Sequence, residues 1–97
     1  MDLVPRGLGT LKLIEVAGER AFRDTWRLLL IALSAGKIQR IEARTAEVLA
    51  CLESIVRAAR AAGLPNKAAR YRSFADSLRT AAAVGTHKIT ELHGKEP

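Results

Sequence analysis

The chain has 97 residues, 48% of them hydrophobic but only four aromatic, and a formal charge of +6 from sixteen Lys and Arg against ten Asp and Glu. That length fits one small domain with an aliphatic, alanine-rich core. Its single cysteine, Cys51, excludes an internal disulfide or a cysteine-built metal knot, and makes a reducing, cytoplasmic setting the default expectation. The positive excess is spread along the chain, which excludes a polybasic tail but leaves room for an acidic protein surface or a nucleic acid as partner.

Residues 3–7, "LVPRG", resemble a thrombin cleavage site of the kind added for expression, although Leu8 stands where a Ser usually follows. Residues 1–7 are therefore set aside from functional reasoning. The first structural segment runs over about residues 10–34, with Thr10 as its expected cap. Leu11, Ile14, Gly18, Phe22, Trp26, Leu29 and Leu33 recur at spacings of three and four, the period of one helix face, and Leu30 widens it. "LKLIEV" also alternates like a short strand. Gly18 costs a helix roughly 1 kcal/mol against Ala, and it marks either a close helix contact or a kink. The apolar run "LLLIAL" at 28–33 is far short of the ~20 residues a membrane span needs, and it comes too late for a signal peptide.

Ser34-Ala35-Gly36 ends this segment. The next, about residues 37–62, is the most regular of the chain. Ile38, Thr45, Leu52 and Ala59 form one seam row, and Ile41, Val48, Ile55 and Ala62 form the other. Leu49 and Val56 add a second apolar edge, so the helix is expected to touch more than one neighbour. Arg40, Glu47, Glu53, Arg57 and Arg60 lie opposite as a solvated face, with Glu53 and Arg57 expected to pair at the favourable i, i+4 spacing.

Gly63-Leu64-Pro65 supplies the next stop and start signals. The third segment, about 66–84, places Ala68, Tyr71, Ala75, Leu78 and Ala82 on one face, flanked by Phe74 and Ala81. Arg72 and Asp76 are expected to pair. Gly85 is a weaker break. In 87–97, Ile89 and Leu92 offer anchorage for a short helical turn or a frayed tail.

The expected architecture is all-α: a small antiparallel three-helix bundle over residues 8–86, joined by short links. The second segment serves as its long central helix, and the bundle is completed by dimerisation. The stripe at Ile38, Ile41 and Thr45 is expected to outrun the third helix, so that the first helix or another subunit must cover it.

Catalytic chemistry finds little support. "GLGT" lacks the length and lysine of a phosphate loop, and no serine sits in a nucleophile-elbow pattern. His87 and His93 lie six apart, which does not put both rings on one helix face, and a metal would need a third ligand. Cys51 has no histidine nearby in sequence to act as its base. The acids interleave with arginines at helical spacings, so no isolated pair suggests acid–base work. No enzyme activity, cofactor, metal or small-molecule substrate is expected.

A binding role fits better. The first reading is a protein-interaction module acting through helix–helix contacts, as an adaptor, chaperone subunit, inhibitor or assembly component. Its candidate interface is Trp26, Ile38, Ile41, Val48, Leu49, Leu52, Ile55 and Val56, with a homodimer through the second helix favoured. The alternative is nucleic-acid binding. "RAARAAGLPNKAARYR", residues 57–72, resembles a helix-turn-helix in its small residues around Gly63, but has Arg72 where an apolar anchor is expected. Arg57, Arg60, Lys67, Arg70 and Arg72 are its candidate phosphate contacts. The plainer reading of the same cations is a solubilising surface.

Overall fold

A computed structural model describes the backbone of residues 3–97 and the side chains of residues 17–97. Four helices follow one another: α1 (Leu3–Ala35), α2 (Ile38–Ala61), α3 (Pro65–Val84) and the short α4 (Thr86–Thr90). Among the described residues there is no strand, so "LKLIEV" continues a helix despite its alternation.

The turns are chemical as well as topological. Gly36 takes φ +67°, and its N–H donates to the carbonyls of Ala32 and Leu33 at 3.0 and 3.2 Å, closing α1. At the end of α2 the N–H of Leu64 donates to Ala59 O (2.8 Å) and that of Gly63 to Arg60 O (3.1 Å), the paired bonds of a Schellman stop. Gly63 sits at φ +73°, a conformation that other residues reach only with strain. Pro65 then opens α3, where its missing N–H is no loss because first-turn donors have no helical acceptor.

These short turns lay α1, α2 and α3 antiparallel, with α2 packed against both of the others. Two expectations change. The longest helix is α1, with 33 residues against 24 in α2. At ~1.5 Å per residue α1 is about 50 Å long, close to the molecule's 53 Å long axis. Second, the helix begins at Leu3, so Thr10 lies within it and is not its cap. The stripe positions Leu11 and Ile14, and the cleavage-site likeness within residues 1–7, concern side chains outside the described residues.

Gly18 marks a close contact. A Cβ built there would lie 3.1 Å from Ile55 Cγ1, tight enough that Ile55 would have to shift, so the glycine eases the approach of α1 to α2. α1 and α3 meet differently, through rings. All four aromatic residues form one cluster: Phe22 stacks on Trp26 and meets Tyr71 and Phe74 edge-on, and Trp26 meets Phe74 edge-on, with centroids 5.4–6.5 Å apart. Leu29, Val48, Leu52, Ile55, Leu78 and Ile89 are fully buried around them. Near the end of α3 the buried position is Ala81, while Ala82 is exposed.

The C-terminal segment is anchored. Ile89 is fully buried and Leu92 packs against the core. The chain then returns to α1, where the Trp26 indole Nε1–H donates to Glu96 Oε1 at 2.8 Å. Ile41 and Thr45, part of the stripe expected to outrun α3, are buried within this chain. Thr45, the only buried polar residue among those described, donates its hydroxyl to Ile41 O at 2.7 Å.

Candidate functional site

The aliphatic stripe of α2 is largely consumed by the chain's own core. Of the candidate interface residues, Trp26, Ile41, Val48, Leu52, Ile55 and Val56 are buried within the bundle. Leu49 is half-buried, and Ile38 stands 65% exposed. Ile38 is the first residue of α2, so the packing neighbours of α2 end there.

Ile38 borders a groove of about 340 Å³ between the N-terminal half of α2 and the α3–α4 junction. Ile41, Leu49, Ala82 and Ile89 line it, and Glu42 is the single charged residue on its walls. Ile31 and Val84, exposed on the last turns of α1 and α3, belong to the same end of the bundle. Among the described residues, three of the five exposed large hydrophobic side chains, Ile31, Ile38 and Val84, thus lie at this end.

A second groove, also about 340 Å³, runs between α2 and α3 nearer the Gly63 turn. It gathers Arg57, Arg60, Arg72 and Arg79 with Glu53 and Asp76 over a floor that includes Val56 and Ala75. Arg79 bridges the two acids, 2.6 Å from Glu53 Oε1 and 3.0 Å from Asp76 Oδ1. These bonds replace the expected Glu53–Arg57 and Arg72–Asp76 pairs, because the hairpin brings Arg79 within reach of both acids at once. Arg57, Arg60 and Arg72 have no carboxylate partner among the described residues.

Three of the five candidate phosphate contacts are thus brought together and two are not. Lys67 forms an ion pair with Glu19 across α1 and α3. Arg70 lines a separate depression with Ser73 and Lys95. The Glu53–Arg79 bridge also shows α2 and α3 lying side by side well beyond their turn, as an antiparallel hairpin. A helix-turn-helix crosses its helices at ~90–120°.

A third cavity, about 360 Å³, lies where the C-terminal segment meets α1, bounded by Trp26, Arg23, Arg27, Tyr71, His93 and Glu96. Burial pushes the Tyr71 hydroxyl above its ordinary value of 10.0, and the nearby Glu19 charge adds to this against the opposing Lys67, Arg70 and Arg23. Cys51 is half-buried with Thr25 Oγ1 3.8 Å from its sulfur, and both histidines are exposed.

The Trp26–Glu96 clasp had no sequence signal, since a polar residue in a polar tail reads as solvated. Among the described residues no helix is long and apolar enough to cross a membrane, and no group of three or more His, Cys, Asp or Glu side chains is placed to hold a metal ion. Comparison of the chain with known protein families, curated proteins and solved structures found no match.

Proposed function

We propose that this chain is a non-enzymatic helical interaction module whose primary contact is a second copy of itself, made through the open end of the bundle. The supporting observation is the juxtaposition of a protruding Ile38 with an aliphatic groove on the same surface. A knob beside a hole is self-complementary under a two-fold axis: Ile38 of each copy enters the groove of the other. The contact is smaller than a seam along the whole of α2, because the middle of that helix already serves the core. An adaptor, inhibitor, chaperone subunit or assembly component of cytoplasmic type matches a surface whose open feature is an apolar knob beside an apolar groove.

Sedimentation equilibrium tests this. The wild-type chain is expected to dimerise, and Ile38→Asp to give a folded monomer, because the new charge lies in water in the monomer and in an apolar groove in the dimer. Leu52→Asp is a poor test, since Leu52 is fully buried and its charge would unfold the monomer. A monomeric wild type, or a dimer indifferent to Ile38→Asp, refutes the reading.

Nucleic-acid binding by region 57–72 has less support. Arg57, Arg60 and Arg72 do share a groove. All four aromatic side chains, however, are buried in the core, which leaves no platform for stacking unpaired bases.

A further inference from the structure

We propose that the arginine groove between α2 and α3 is a docking site for an acidic helical segment of a partner protein, one bearing a basic residue at the end of its acidic face. The groove is electrically bipartite. Toward the Gly63 turn it presents Arg57, Arg60 and Arg72, whose guanidinium groups have no carboxylate partner among the described residues. Toward the middle of the hairpin it presents Glu53 and Asp76, two carboxylates sharing the single guanidinium of Arg79. One end carries three unmatched positive charges, and the other carries one negative charge in excess.

That pattern selects among polyanions. A nucleic-acid strand is negative at every unit, so a strand following the groove would run onto Glu53 and Asp76. A peptide varies its charge along its length, placing Asp or Glu against the arginines and Lys or Arg against the two acids. The floor favours a peptide as well: Val56 and Ala75 are apolar and suit the methylenes of side chains. Spacing supports a helix. Arg57 and Arg60 are one turn apart, a rise of ~4.5 Å, which is matched by acids at i and i+3 or i+4 on a helix lying alongside. Such a helix would rest on α2 and α3 as a fourth member of the bundle, the helix-in-groove mode of recognition. The site shares no residue with the apolar groove at Ile38, so it does not require the dimer.

The test is fluorescence anisotropy at low salt with the full chain and three labelled probes. The first is a helical peptide with three Glu on one face followed by Lys. The second has the same composition with Lys placed between the glutamates. The third is a single-stranded DNA oligonucleotide of similar length. The first peptide is expected to bind tightest. Arg60→Ala with Arg72→Ala should weaken it by about tenfold or more, since charge-assisted hydrogen bonds are the strong ones. Arg40→Ala, an exposed arginine elsewhere on α2, should leave binding unchanged, and Ile38→Asp should bind as wild type whatever its oligomeric state. All substituted residues are exposed, and circular dichroism verifies the fold. No binding of the first peptide, equal binding of the two peptides, no loss in the double variant, or tighter capture of the oligonucleotide overturns the proposal.

Discussion

Replacing Phe74 by Ala removes the side chain on which the packing of α1 against α3 depends. Phe74 is buried, with its ring edge-on to Phe22 at 5.7 Å and to Trp26 at 5.4 Å. Truncating a buried Phe to Ala costs about 3–5 kcal/mol, combining the lost transfer energy with the cavity left behind. Each favourable ring pair adds roughly 0.5–1.5 kcal/mol beyond area, and two such pairs place the expectation in the upper half, about 4–5 kcal/mol. Small domains have only about 5–15 kcal/mol in total, so the variant should retain little stability or none. Phe74→Leu keeps most of the volume and loses mainly the ring pairs, with an expected cost of about 1–2 kcal/mol. Urea unfolding reads both values, followed by far-UV circular dichroism and by the fluorescence of the single tryptophan, which lies beside the substitution. If Ala costs under about 1.5 kcal/mol, or Leu costs as much as Ala, the α1–α3 gap is not held by these rings.

Two further expectations follow from the turns and from the buried phenol. Gly63→Ala meets no atom within 4 Å but must adopt φ +73°; the cost is purely conformational, about 1 kcal/mol, and should lower Tm by about 4–8 °C, whereas an unchanged Tm would contradict the left-handed stop. Tyr71→Phe should flatten the alkaline limb of stability: with the folded pKa raised above 10.0, the native state holds its proton longer than the unfolded chain, so the contribution of Tyr71 is fully present below pH 10.0 and declines as pH rises through the folded value. Wild type should therefore lose more stability than the Phe variant between pH 9 and 11 in matched urea titrations, and the opposite ordering would refute the burial of the hydroxyl.

The sequence disclosed the helices by their punctuation. Gly36, Gly63 and Pro65 mark the helix ends they flank to within about a residue, because a left-handed glycine or an N–H-less proline acts locally and needs no tertiary context. The buried face of α2 was legible for the same reason, periodicity being a local property. Depth along the bundle was not. Ile38 and Ile41 fall on one stripe, yet Ile41 is buried and Ile38 projects, because only the packed neighbours decide where cover stops. Gly18 alone fits a kink or a contact equally well, and Ile55 opposite it decides for the contact. The ion pairs were misassigned in one direction. Local i, i+4 partners were expected for Glu53 and Asp76, but Arg79 serves both, since a hairpin supplies a cross-helix cation that sequence distance conceals. The arginine groove is partly legible for the same reason: Arg57, Arg60 and Arg72 stand out as a basic run, but the two acids that make it bipartite join them only through the register of α2 on α3.

The hydrogen bond between Trp26 and Glu96 joins residues 70 positions apart. Most of the main packing joins α1 to α2 and α2 to α3, partners that are local in the chain, while the rings of Phe22 and Trp26 reach over α2 in sequence to Tyr71 and Phe74. The indole N–H spans the farthest of these: it meets Glu96 only once α2, α3 and α4 have all been made. Closure of that clasp then requires the segment after α4 to fold back onto α1.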